Sequence, residues 1–124
     1  MATFFTQVGE EYFVDTYDAT SADYVGWGSG AGAPGKASVD VSVAETEARS
    51  LATRTQALAD KLQWVATITC AGAGKTITNV GVFDAAGAGS PPTGGTPLMV
   101  IGNFTGVVLA VADSIQFTIT LEIT

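Results

Sequence analysis

The six residues AGAGKT at 71–76 come nearest to a chemical signature in this sequence. A phosphate-binding loop needs G-x-x-x-x-G-K-[ST] leading from a strand into a helix, so that backbone amides surround the phosphates and the lysine reaches them. Here Thr69 stands at the first glycine position, and the following TITNVGVF alternates like a strand. The string is therefore read as a turn with a solvated Lys75. The acidic group Glu10, Glu11, Asp15, Asp18 and Asp23 could offer oxygens to Ca²⁺, but it lacks the compact D-x-D-x-D-G spacing that gathers several around one ion. A solvated acidic strand edge accounts for it better. Glu45 and Glu47 would serve acid–base chemistry only in a pocket that shifts one carboxyl, and nothing in the sequence marks one; they read as a charged helix end. Cys70 is the only cysteine and the chain has no histidine to activate it, so a buried thiol is expected rather than a nucleophile. No catalytic residue, cofactor site or metal site is expected, and the chain does not read as an enzyme.

What remains is a chain whose composition speaks of surfaces. Its 124 residues suit one domain. Charged residues make up 14% of it, against about 25% in an ordinary domain. The 12 acidic residues outnumber the 5 basic ones, for a net charge of -7. Lys36, Arg49, Arg54, Lys61 and Lys75 are scattered through this acidic background, which would repel a polyanion. Neither nucleic acid nor an anionic membrane surface is therefore expected as a partner. Low charge with 47% apolar content points to an obligate homo-oligomer, whose interfaces resemble domain cores; a Thr-rich β-protein that is soluble as a monomer is the alternative. There is no run of about 18 apolar residues, and MATFFTQVGEEY lacks the basic and long apolar regions of a secretion signal. A soluble protein kept inside the cell during assembly is expected.

The elements that would present such surfaces are strands. From Asp113 to Thr124, Ile115, Phe117, Ile119, Leu121 and Ile123 alternate with polar residues, the period-two pattern of a half-buried strand. Leu62, Trp64, Ala66, Ile68 and Cys70 do the same. AGAG at 71–74 then KTITNVGVF predict a hairpin over Leu62–Phe83 with a four-residue connection. The Gly- and Pro-rich segment 84–97 is expected as an exposed loop that tolerates length changes, with LMVIGNF a strand after it and TGVVLAVAD a short strand or connection before the last one. Upstream, EYFVDTYD and DYVGWG read as short aromatic strands and GSGAGAPGK as a second loop. The credible helix lies between Val39 and Ala48, with Asp40 or Ser42 as its cap; RSLATRTQALADK after it is read as a strand. The expected fold is all-β, a single β-sandwich or jelly-roll with one short helix at most. Residues 1–22 would form an N-terminal arm and first strand, and 23–124 the sandwich. Seven aromatics fall in the first 27 residues. Aromatic anchors are enriched at interfaces, so Phe4, Phe5, Tyr12, Tyr24 and Trp27 are the candidate partner contacts.

KTITNVGVFDAA, a Gly-rich gap, then LMVIGNFTGVVLAVADSIQFTITLEIT together resemble a group of small tailed-bacteriophage virion proteins. In these a K-x-I-x-N-x-G-[LV]-F-D element precedes a variable loop and a final D-S-I-x-F-x-I-x-[LI] strand. YVGWGSG and AETEAR match that group as well, so the resemblance covers the chain from about Asp23 onward. Its motif residues are of packing type: Asn79 and Gly81 suit a bulge or close backbone approach, and Phe83 a core anchor. The resemblance implies a virion protein on the outer capsid surface, a decoration (cement) protein that bridges major capsid protein subunits as a homotrimer, assembled in the bacterial cytoplasm. A tail-fibre or baseplate-associated protein that contacts the host surface is the alternative it implies.

Overall fold

The computed structural model describes residues 3, 6–20, 23–32, 34–93 and 98–123. One helix, α1 (Gln7–Thr20), is followed by seven strands: β1 (Tyr24–Gly28), β2 (Ser50–Leu51), β3 (Thr53–Leu58), β4 (Lys61–Thr69), β5 (Lys75–Phe83), β6 (Leu98–Leu109) and β7 (Ser114–Glu122). They form two antiparallel sheets, β2-β1-β5-β6 and β3-β4-β7. The all-β sandwich expected from the alternation is what forms.

The core lies between the sheets and is built from the inward positions of each strand. β4 contributes Leu62, Trp64, Ala66 and Ile68, with Cys70 just beyond its end, as its period-two pattern requires. The opposing sheet contributes Val25, Trp27, Ile77, Val80, Val82 and Leu109. Trp27 meets Phe117 edge-on across the gap, ring centroids 6.3 Å apart, and so ties one sheet to the other.

β4 and β5 are not the hairpin that the sequence suggested. β4 pairs with β3 and β7, and β5 with β1 and β6, so residues 70–74 carry the chain from one sheet to the other. Hydrophobic alternation allows either geometry, because both can turn the apolar faces inward. Across the sandwich they interdigitate as a core, and a second crossing at 110–113 lies against the first. Cys70 N–H donates to the Asp113 carbonyl at 2.8 Å and Ala112 N–H to the Cys70 carbonyl at 2.9 Å. The two crossings thus satisfy each other's backbone, as buried polar groups require.

Two further expectations are corrected. EYFVDTYD, read as a strand, belongs to α1. Thr6 caps that helix through its Oγ1, which accepts from Gly9 N–H at 3.1 Å, and the backbone bond from Glu10 N–H to the Thr6 carbonyl begins the ladder. Its buried side is Val14 with Tyr17, three apart, and Tyr17 packs edge-on against Trp64 at 6.1 Å. The segment 39–48, read as the helix, is a strap instead. Its backbone bonds go to β1 and beyond: Ser29 N–H donates to Val43 O, Gly30 N–H to Ser42 O and Glu45 N–H to Trp27 O. Val43 there takes φ 50°, a left-handed conformation that ends any helical run. Close approach of this strap needs glycine at Gly28, where a Cβ would collide with the Ser42 carbonyl, and at Gly81, where it would come within 3.1 Å of Val41.

Candidate interaction surface

Several ionised groups are engaged in holding the fold together. Glu47, reached by the strap at the crossing end of the sandwich, accepts from Trp27 Nε1 at 3.0 Å, from Ala71 N–H at 2.9 Å and from the Lys75 ammonium. Lys75 also faces Glu45 at 3.7 Å, and its side chain is 10% exposed. The solvated turn lysine expected at AGAGKT is therefore buried in an ion pair. Burial by itself would raise the Glu47 carboxyl, but the Lys75, Ala71 and Trp27 hydrogen bonds outweigh it and hold the group below its ordinary value of 4.5. Burial would likewise lower Lys75, and the bond and charge of Glu47 outweigh it and raise the ammonium.

At the opposite end Arg54 of β3 anchors α1. Its Nε donates to Asp18 Oδ1 at 3.0 Å and a terminal nitrogen to Asp23, which also accepts from Tyr17 Oη at 2.7 Å. Burial opposes the Arg54 charge, and the bonds and charges of Asp18 and Asp23 more than restore it, raising its pKa. Asp23 is 2% exposed. The acidic group read as a strand edge is thus mostly a helix face, with Asp18 and Asp23 committed to Arg54. Arg49 lies over the Phe83 ring, 3.6 Å from its centroid, and donates to the Ala85 carbonyl at 3.2 Å. Lys61 meets Glu122 at 3.4 Å. Among the described residues no three carboxylates, cysteines or histidines are grouped to hold a metal ion.

Of the five candidate contact residues, the three that are described are not brought together. Phe4 and Phe5 lie outside the described residues. Tyr12 is exposed on α1 at 69%. Tyr24 opens β1, half-buried and paired with Leu51 and Phe83. Trp27, three residues on, faces the other way and is a core residue, 2% exposed. No family model, curated protein or solved structure matches the chain. The surface must therefore be read from its own chemistry.

The candidate surface is the outer face of the β3-β4-β7 sheet. Register places Thr53, Val65 and Thr118 in one row, Thr55, Gln63 and Thr120 in the next, then Thr67 beside Gln116 and Thr69 beside Ser114. The last pair is hydrogen-bonded, Oγ to Oγ, at 2.7 Å. Ionised groups reach this face at its two ends, Lys61 with Glu122 at one and Glu47 and Arg49 beside Thr67 and Thr69 at the other. Sequence reasoning assigned the β4 and β7 positions to the side opposite the apolar residues of their strands but sought partner contacts among aromatics. The usable signal was the run of Thr, Gln and Val at every second position.

Proposed function

We propose that this chain is a structural protein of a tailed-bacteriophage virion, a capsid decoration protein that binds the outer head surface as a homo-oligomer and bridges major capsid subunits. The observation that carries the reading is the uncharged outer face of the β3-β4-β7 sheet. Cores of protein interfaces are depleted of charge, and short β-branched side chains lose little conformational freedom when covered. The motif residues shared with phage virion proteins support it from a second direction. Asn79, Gly81 and Phe83 serve the scaffold, seating the strap and the Arg49 side chain, which suits a protein that works by shape. A protein that binds the assembled shell and not its loosened form stabilises the shell by mass action.

The test is stoichiometry and heat resistance. In purified virions the chain should approach the copy number of the major capsid protein, and heads that lack it should lose their contents at lower temperature. A few copies per particle, or unchanged heat resistance, would overturn the assignment and favour a tail location. Thr67→Glu places a charge on the central strand of the face and should lower head binding at least tenfold.

A further inference from the structure

A buried hydrogen-bond donor that has no acceptor costs free energy, and folded proteins leave few of them. The two tryptophans of this chain differ in that respect. Trp27 Nε1 donates to Glu47 at 3.0 Å. Trp64 is 0% exposed, and among the described residues its Nε1 finds no acceptor. Trp64 also lines a cavity of about 110 Å³ between α1 and the ends of β4, β6 and β7. Val14 and Tyr17 of α1, Leu62 of β4, Val100 of β6 and Leu121 of β7 form the rest of its wall, and the exposed side chains of Phe13 and Met99 stand at its mouth.

We propose that this cavity binds a neutral, largely apolar small molecule whose one oxygen acceptor takes the Trp64 Nε1–H. The wall specifies each part of that description. No ionised side chain lines the cavity, so a charged ligand would give up its water and gain no partner. The hydroxyl of Tyr17 is the one other N–H or O–H among the lining side chains, and it already donates to Asp23 at 2.7 Å. A buried water is held by about three polar partners, and these side chains offer it only the Trp64 donor. An apolar body with a single acceptor meets both needs, covering the hydrocarbon wall and satisfying the indole. Volume limits its size. A closed cavity of about 150 Å³ takes a benzene ring, so one ring or a short chain of similar bulk, extending toward Phe13 and Met99, is the largest body that fits here. Met99 suits the mouth of such a site, because its flexible thioether adapts to what enters.

The site stands apart from the virion assignment, and its test needs no phage heads. The isotope-labelled chain is titrated with cyclohexanone, a neutral ring with one carbonyl, while the indole N–H resonances of Trp27 and Trp64 are followed by NMR. Cyclohexanone should bind saturably with a Kd on the order of 1 mM, within reach of so small a ligand. It should move the Trp64 N–H downfield, as a newly formed hydrogen bond does, and leave that of Trp27, already held by Glu47, in place. Toluene, of similar bulk but without the carbonyl, should compete for the cavity and reverse the shift. Trp64→Phe keeps a ring in the wall and removes the donor, and its preference for cyclohexanone over toluene should fall by about threefold or more, the worth of one net hydrogen bond. Val100→Phe fills the cavity from a half-buried position and should abolish both titrations. Circular dichroism checks that each variant is folded, and the wild-type titration decides by itself where one is not. No saturable shift with cyclohexanone, a Trp64 N–H already hydrogen-bonded before anything is added, or undiminished binding to folded Val100→Phe would overturn the proposal.

Discussion

The Asn79 side chain bonds the Ser42 backbone in both directions: Oδ1 accepts from Ser42 N–H at 2.9 Å, and Nδ2 donates to the Ser42 carbonyl at 3.1 Å. One amide thus does what a neighbouring strand would do, and it holds the strap against β1 and β5 from a position 3% exposed.

Replacing Asn79 should therefore act on the strap. Asn79→Ala loses both bonds and leaves the Ser42 N–H without a partner, while Gly30 N–H still holds the Ser42 carbonyl, a cost of about 1–3 kcal/mol, or roughly 4–12 °C in Tm. Asn79→Asp keeps an acceptor but buries a charge and should cost at least as much. Hydrogen exchange should show protection lost first at Ser42, before the core of β4.

Glu47 makes stability pH-dependent on the acid side. Its folded-state carboxyl lies below 4.5, so the stabilisation is fully present above about pH 4.5 and is lost as pH falls through the folded-state value. Glu47→Gln should cost about 2–3 kcal/mol at pH 7, because it leaves Lys75 with the more distant Glu45 as its carboxylate and the Ala71 carbonyl as its acceptor. It should also flatten the fall in stability between pH 5 and 3. Urea denaturation at a series of pH values, on the order of 1 unit apart, reads both effects. Lys75 acts in the opposite sense: its contribution is present below pH 10.5 and lost as pH rises through its raised value.

Two backbone positions invite stabilisation. Val43 has φ 50° and Ala112 has φ 77°, both in the left-handed region that side chains with a Cβ disfavour. Ala112→Gly and Val43→Asn should each raise stability by about 0.5–1 kcal/mol, since strain relief exceeds any added freedom of the unfolded chain. A thermal melt reads the gain as roughly 2–5 °C.

Arg54 decides whether α1 stays docked. Arg54→Ala leaves Asp23 buried without its cation and should cost about 3–5 kcal/mol, with α1 amides exchanging faster than those of β4. Asp18 is 36% exposed, and Asp18→Asn should cost no more than about 1 kcal/mol. Equal losses from the two substitutions would refute the assignment of Asp23 as the buried partner.

The candidate surfaces were only partly legible in advance. Every second residue of KLQWVATIT and SIQFTITLE was correctly read as inward or outward, so the Thr and Gln of the exposed face could be named without coordinates. LMVIGNF was read as a strand and TGVVLAVAD as a short strand or connection, but a run of residues does not say that a strand is an edge. That depends on what lies beside it in space, which the order β2-β1-β5-β6 supplies.

By itself the sequence determined the strands, their faces, the buried Cys70 and the scarcity of charge, because each follows from a period of two or from composition, which are local properties. Tertiary structure decided the rest. Leu62–Phe83 crosses between sheets because alternating strands can pair or oppose with the same apolar faces inward. EYFVDTYD became helix because Val14 and Tyr17 could pack on Trp64 while Arg54 took Asp18 and Asp23. The 39–48 segment lost its helix because Asn79, far away in sequence, captured Ser42. In each case the deciding partner lies outside any local window, and only the folded chain brings the two together.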